Sequence, residues 1–306
     1  MKQLVVLSGK GGTGKTSVTA SLAHLASQKY PLLLVDADVD AANLELVLSP
    51  QKLEEHVFMG MDVAQIDEER CAGHGECEKV CRFGAIRVSS IDGRKRYHVD
   101  RMACEGCGAC FHQCPQKAIR MVPQQAGLWF QSETPFGMLF HADLFAGQPN
   151  SGKLVALVKQ EARKFGLSKG KAFMLVDGPP GIGCPVIATL SGADLALLVV
   201  EPTPSGVHDL ERILETANHF GIPAMVVINK FDLNPAHTAD IVSQCRSAGI
   251  DVIGRIPFDP VVTEAMVEGS PITAYQDGPV TQALQVVWEE IRKRFIGETI
   301  ILPLLD

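Results

Sequence analysis

The stretch GKGGTGKT, Gly9 to Thr16, constrains the chain more than any other segment of it. It satisfies G-x-x-x-x-G-K-[ST] and lies between an apolar run, QLVVLS (3–8), and a segment in which Val18, Leu22, Leu25 and Ala26 recur at helical spacing. The spacing therefore predicts a buried strand, a glycine-rich turn and a helix over about 14–28. Glycines let backbone N–H groups converge on phosphate oxygens, and a helix N-terminus adds the positive end of its dipole. In such a loop Gly11, Gly12, Thr13, Gly14 and Ser17 border a nucleotide's phosphates. Lys15 reaches the β- and γ-phosphates, and the Thr16 hydroxyl is offered to Mg²⁺.

The strand-and-helix pattern repeats. Apolar runs without strict alternation occur at LLLVD (32–36), AFMLVD (172–177), LALLVV (195–200), AMVVIN (224–229) and DVIGRI (251–256), with helical stretches at 205–220 and 237–249. Runs of this kind separated by helices predict an α/β fold, a mostly parallel twisted sheet with helices on both faces. At 306 residues the chain is long enough for one large domain and a smaller one. With 28 basic against 35 acidic residues, and no Lys/Arg cluster beyond Arg292 to Arg294, it lacks the electrostatic footprint of a nucleic-acid binder. Its first residues do not continue into a secretory core, and its longest apolar stretch, ADLALLVVEP, is too short to span a bilayer. The expectation is a soluble, cytoplasmic protein.

Seven of nine cysteines lie between Cys71 and Cys114, and in a chain without an export signal that crowding reads as metal ligation. Residues 64–122 break the α/β rhythm, and sheet elements resume beyond them. They are expected to form an inserted domain, with 1–63 and 123–306 together making the larger one. Residues 124–153 are expected to be strands or a structured loop leading into a helix at 152–165. CEGCGACFHQCP supplies Cys104, Cys107, Cys110, Cys114 and Pro115 in the C-x2-C-x2-C-x3-C-P order of an iron–sulfur run. Zinc is the competing metal, although four-cysteine zinc sites usually come as two separated C-x2-C pairs.

The earlier run, CAGHGECEKVC, aligns beneath it with Cys71, Cys77 and Cys81 in register and His74 in the second place. The pair resembles a two-cluster bacterial ferredoxin, in which the fourth cysteine of each run ligates the other run's cluster. That resemblance implies one [4Fe–4S] cluster on Cys104, Cys107, Cys110 and Cys81. The other cluster, [4Fe–4S] or [3Fe–4S], would use Cys71, Cys77 and Cys114 with His74 at the fourth corner. His74 then either ligates the fourth iron, leaves that corner empty, or is a loop residue beside a three-iron cluster. Arg82 stands where proline follows the corresponding cysteine of a ferredoxin.

Lys10, a second lysine opening the phosphate loop, resembles the deviant Walker A motif of the MinD, ParA, Mrp and nitrogenase iron protein superfamily. Two further segments continue that likeness: LLVDADVDAANLEL, with Asp36, Asp38, Asn43 and Leu44, and MLVDGPPGIG, which begins its D-x-P-P-G at Asp177. The resemblance implies Mg²⁺ held by Thr16, Asp36 and Asp177, and an attacking water oriented by Asp38, with Lys10 and Lys15 on the phosphates. Asn229 of VINKFD resembles this family's base-contacting Asn and the N-K-x-D of GTPases alike; Asp232 keeps GTP open beside ATP. IPFDP (256–260) would then close over the base; the alternative for both stretches is an ordinary strand-to-helix loop.

Taken over the whole chain, the resemblance is to MinD-like ATPases carrying an inserted ferredoxin domain. It implies slow ATP hydrolysis by a nucleotide-dependent homodimer, or by a heterodimer with a related ATPase. The hydrolysis cycle would be coupled to electron transfer to a redox partner. Cluster assembly or carriage to an accepting protein, as in Mrp, and spatial positioning, as in MinD and ParA, are the alternatives. Cys184 is expected to be a buried thiol and Cys245 a structural one. Residues 286–295 read as a packed terminal helix rather than a membrane contact.

Overall fold

The protein is represented by a computed structural model, which describes residues 1–91 and 93–296. Asp92 and the residues after 296 lie outside the described residues. β1 (Lys2–Ser8) runs through the glycine loop into α1 (Lys15–Ser27), followed by β2 (Leu32–Asp36), α2 (Leu44–Leu48) and β3 (Gln51–Ile66). The cysteine-rich stretch contributes α3 (Glu76–Val80), β4 (Ile86–Ile91), β5 (Arg94–Val99) and α4 (Ala109–Gln113). Next come β6 (Ile119–Thr134), β7 (Gly137–Leu144), α5 (Ser151–Ser168), β8 (Phe173–Pro180), α6 (Cys184–Leu190), β9 (Leu195–Val200) and α7 (Pro204–His219). β10 (Ala224–Asn229), α8 (Pro235–Ser247), β11 (Asp251–Ile256), α9 (Val261–Val267), α10 (Ile272–Tyr275) and α11 (Pro279–Ile291) complete the series, with a π-helical turn at Arg292–Ile296.

Nine strands share one sheet in the order β11-β10-β9-β1-β8-β2-β7-β6-β3. Every pair from β11 to β7 is parallel. The apolar runs explain why. Leu4 to Leu7 and Leu33 to Val35 are wholly buried, so both faces of these strands must be covered, and helices cover them. β1 therefore lies between β9 and β8, and the loop at its C-terminal end opens where the sheet order turns back on itself.

Two compact units divide the chain. One comprises residues 1–56, 129–143 and the chain from 151 onward; the other comprises Val57–Leu128 and Leu144–Asn150. In the larger unit Val18, Leu22 and Ala26 of α1 pack into the same core as Leu284, Val287 and Ile291 of α11. Trp288 adds an edge-on contact with Tyr30 and a stacked one with Phe173, at centroid distances of 6.1 and 6.2 Å.

The smaller unit has its own core of Ala64, Cys77, Ile86, Tyr97, Cys110 and Ile119. β4 and β5 pair antiparallel within it, Val88 opposite Tyr97. β3 and β6, sixteen residues each, carry the chain into and out of the cysteine-rich stretch, and β6 with β7 makes strands of much of the segment expected to be strands or a structured loop. Among the described residues no helix is long and apolar enough to cross a membrane.

Gly254 of β11 shows how closely α11 is seated. A Cβ there would lie 2.3 Å from Val287 Cγ2. Gly254→Ala is expected to cost about 1–3 kcal/mol by overpacking. Adding Val287→Ala should recover part of that loss in urea unfolding, which two independent destabilisations would not do.

Candidate nucleotide and metal-cluster sites

The loop between β1 and α1 turns through left-handed glycines, Gly12 at φ +80° and Gly14 at φ +84°. Gly14 is also sterically required, because a Cβ would fall 2.3 Å from Asn229 Nδ2. Around Gly11 and Gly12 a Cβ would meet nothing within 4 Å, so the loop's outer face is open for a ligand. The buried Thr13 hydroxyl has no hydrogen-bond partner among the described residues. The loop forms one wall of a cleft of about 560 Å³ whose lining includes Lys15, Thr16, Asp38, Asn229, Phe258 and Asp259. That volume suits a small-molecule or cofactor ligand.

Beneath the loop lies a buried acid–base cluster. Asp177 on β8 accepts hydrogen bonds from Lys15 Nζ (3.2 Å), Thr16 Oγ1 (2.7 Å) and Thr19 Oγ1 (2.7 Å). Lys15 and Asp177 are 6 % and 1 % exposed, so the pair is nearly dry. Asp36 stands beside Asp177 in the β2–β8 register. Its carboxylate accepts from the backbone N–H groups of Asp38 and Leu44, both at 3.0 Å, which folds the segment between them back over the strand end.

Burial and the neighbouring Asp177 push the Asp36 carboxyl up to about 8, against the pull of Lys15 and two N–H donors. Burial likewise raises Asp38 to about 6, opposed by Lys15. Burial lowers the Lys15 pKa, but Asp177, Asp36 and Asp38 outweigh it and hold that ammonium above its ordinary value.

The two expected base-side residues are engaged with protein. Asn229 donates Nδ2–H to Thr13 O at 2.7 Å, and Asp232 accepts from Phe258 N at 2.8 Å. In this structure they fix the phosphate loop and the IPFDP turn, and the cleft lies between those two.

Sequence reasoning missed Glu201 and Thr203. Lys10 lies 3.3 Å from Glu201 Oε2 and donates to Thr203 Oγ1 at 3.0 Å, while Lys230 donates to the other Glu201 oxygen. The signal was present in EPTPSG. Thr203 caps α7 by accepting from Gly206 N, and a Cβ at Gly206 would sit 2.2 Å from Glu201 O. At the start of α5, Gly152 likewise permits a close approach, because a Cβ there would lie 3.2 Å from the Cys184 carbonyl oxygen.

Cys184 itself is exposed, which corrects the expectation of a buried thiol. It opens α6, with Pro185 as the next residue, and it is the backbone there that packs against α5. Cys245 is buried as expected, and burial raises its thiol to about 11.

In the smaller unit the two cysteine runs adopt one local fold twice. Gly75 and Gly108, both left-handed, start α3 and α4; Cys77 and Cys110 are the second residues of those helices; Cys81 and Cys114 end them in extended conformation. Ala85 N–H donates to Cys81 Sγ and Ala118 N–H to Cys114 Sγ, each at 3.3 Å. Cys71, Cys81, Cys104 and Cys114 pack against a core that contains Cys77 and Cys110. One small cavity is lined by Cys71, His74, Cys77 and Cys114, drawn from both runs. His74 and Cys107, in the equivalent second places, are both exposed.

Thiols gathered in this number, with N–H donors on two sulfurs and left-handed glycines at each helix start, fit the donor chemistry of iron–sulfur ligation. Among the described residues no three His, Cys, Asp or Glu side chains close on a single metal-sized point. The fit therefore lies in the donor set and its repeat.

A parallel sheet with a glycine-rich loop, an invading lysine and paired acids at its strand ends defines a P-loop nucleotide-binding protein. The sequence profile of the CobQ/CobB/MinD/ParA nucleotide binding domain matches residues 4–272, and the chain belongs to that family. It is 31 % identical over 293 residues to an uncharacterized protein of Methanocaldococcus jannaschii, covering 95 % of this chain and 96 % of that one. The septum site-determining protein MinD of Bacillus subtilis is 26 % identical, with 99 % and 92 % covered. A more distant relative, the iron-sulfur cluster carrier protein of Pyrococcus horikoshii, is 24 % identical over 94 % of this chain and 85 % of its own. Among solved structures, MinD complexed with Mg-ADP from Pyrococcus horikoshii superposes with a TM-score of 0.59 at 20 % identity, covering 98 % and 99 %. The shared fold is a mostly parallel α/β sheet with helices flanking it.

The acid cluster carries a pH signature. An acid whose native pKa is near 8 instead of 3.8 binds its proton more tightly folded than unfolded. Stability therefore falls as pH rises from about 4 through about 8, and Asp38 adds to the fall up to about pH 6. Nucleotide- and metal-free protein is expected to lose up to about 5 kcal/mol between about pH 5 and pH 8, most of it through Asp36. Asp36→Asn should flatten that profile in thermal melts; an equally steep profile in the variant would remove Asp36 as its source.

Proposed function

We propose that the protein is an ATP-binding, slowly ATP-hydrolysing iron–sulfur protein. It acts as a nucleotide-dependent dimeric switch that couples its nucleotide cycle to electron transfer through an inserted ferredoxin-like domain, residues 64–122. The observation that carries this reading is the coexistence in one chain of an open phosphate loop over a buried Lys15–Asp177 pair and a twice-repeated cysteine fold. Family membership supports nucleotide binding, and a MinD bound to Mg-ADP shares the fold.

On this reading Thr16, Asp36 and Asp177 hold Mg²⁺, which offsets phosphate charge when bound. Gly11 to Ser17 border the phosphates. Asp38, which lines the cleft, orients the attacking water. Its raised pKa suits a group that exchanges a proton near neutrality. Asn229 and Asp232 shape the base side through the loops they fix, with the nucleotide assigned as ATP.

Cys104, Cys107, Cys110 and Cys81 would hold one cluster; Cys71, Cys77 and Cys114, with His74, would hold the other. Such clusters store and pass single electrons when bound. Low-dielectric packing around Cys77 and Cys110 keeps water from the inner sulfurs, while the exposed His74 and Cys107 corners face a partner.

Cluster carriage to an accepting protein is the second reading. It is favoured by the exposure of His74 and by the relative named as a cluster carrier.

Anaerobic reconstitution with iron and sulfide is expected to load about seven to eight iron atoms per chain. Cys104→Ser should lose about half of them, and EPR of the reduced protein should change on adding Mg-ATP. Purified protein carrying stoichiometric zinc and taking up no sulfide would sink the iron–sulfur assignment. Spectra indifferent to ATP would sink the coupling, and transfer of iron to an apo-acceptor would decide for carriage. Lys15→Ala is expected to abolish nucleotide binding in calorimetry, since it removes the only loop cation bound to Asp177 among the described residues.

A further inference from the structure

The phosphate loop is flanked by two cations that the nucleotide chemistry above leaves unaccounted for in the free chain. Lys10, at its start, and Lys230, after β10, are 29 % and 27 % exposed, and both meet the carboxylate of Glu201, which is only 14 % exposed. Lys10 Nζ is 3.3 Å from Glu201 Oε2 and also donates to Thr203 Oγ1 at 3.0 Å. Lys230 donates to Glu201 Oε1 and to Gly12 O, the latter at 3.3 Å. Lys230 adopts the left-handed region at φ +55°, a conformation that costs energy for a lysine and so is held by its contacts.

Glu201 is not a loosely placed surface acid. Its own carbonyl sits where a Cβ on Gly206 would collide, and two residues on, Thr203 caps α7. The carboxylate is therefore delivered by fixed backbone to the rim of the loop. The space over Gly11 and Gly12 beside it is open. One carboxylate shared between two ammonium groups at the edge of an anion seat supplies the negative charge that the seat lacks when no phosphate is present.

We propose that Glu201 is the counter-anion of the free phosphate loop. It clasps Lys10 and Lys230 until the phosphates of a bound nucleotide outcompete it for both. A nucleoside triphosphate carries several negative charges against one on Glu201, so the exchange runs toward the ligand. Its release frees the Glu201 carboxylate at the rim of the loop, which makes that side chain the part of the chain that registers whether the loop is filled. Glu201 is on this account a positioning residue, acting through the two lysines. The inference rests on nucleotide binding at the loop, but the clasp itself belongs to the free protein and is tested there.

The test is lysine acetylation footprinting of the nucleotide-free protein, read by mass spectrometry at Lys10 and Lys230, with Lys52 and Lys95 as internal controls. Glu201→Gln is expected to acetylate several-fold faster at both lysines and unchanged at the controls, and Thr203→Ala faster at Lys10 alone. Equal rates at Lys10 and Lys230 in wild type and Glu201→Gln would overturn the clasp. In calorimetry Glu201→Gln is expected to tighten Mg-AMPPNP binding about three- to tenfold. That gain should shrink in a Lys10→Ala, Lys230→Ala background, because no clasp remains to be broken. A gain of the same size in that background would reduce Glu201 to a general charge effect and overturn the proposal. Wild-type protein that binds no nucleotide would overturn the nucleotide reading and the sensing role with it, while the footprint would still decide whether the clasp exists.

Discussion

Everything near the nucleotide cleft depends on one carboxylate, that of Asp177. It is almost without solvent, and a buried charge is tolerable only when paired and hydrogen-bonded. Lys15 supplies the opposite charge; Thr16 and Thr19 supply hydroxyl donors. All three come from the first turns of α1, so satisfying Asp177 fixes the start of that helix against β8. With α1 anchored, the loop before it closes through left-handed glycines and against Asn229. The opening toward solvent at Gly11 and Gly12 is what remains after those constraints are met.

The smaller unit solves a different problem by a related device. A short chain segment with few large apolar residues needs something besides a hydrophobic core to organise it. Here two five-residue helices repeat a left-handed glycine start and a cysteine end, and the inner thiols Cys77 and Cys110 sit in the core where aliphatic side chains would otherwise be expected. A thiol is apolar enough to be buried, and on the proposed reading the same side chains, once deprotonated, would also serve as ligands.

Much of this was legible in the sequence because the constraints were local. The strands β1, β2, β8, β9, β10 and β11 are apolar runs of the length their burial requires, and the loop glycines sit where positive φ is needed. β3 was not legible: its first five residues, Lys52, Glu54 and Glu55 among them, are exposed, and the exposed Val57 and Met59 flank the buried Phe58, so neither polar–apolar alternation nor a buried run announces it. Cys184 was misjudged because its exposure depends on how α6 meets α5, a long-range contact. Glu201 and Thr203 escaped notice for the same reason, since Lys10, the partner they share, lies on the phosphate loop 193 residues before Thr203.

The way the chain divides between its two units has a consequence for how such a molecule can be altered. It passes from the larger unit to the smaller after His56, returns at Trp129, leaves again after Asp143 and comes back at Ser151. The cysteine-bearing part is therefore not a cassette hung on a single pair of linkers. Cutting it out would sever β3 and β6 part-way along their length and leave unpaired backbone N–H and C=O groups behind. Grafting or deletion would therefore have to respect strand ends instead of cysteine positions.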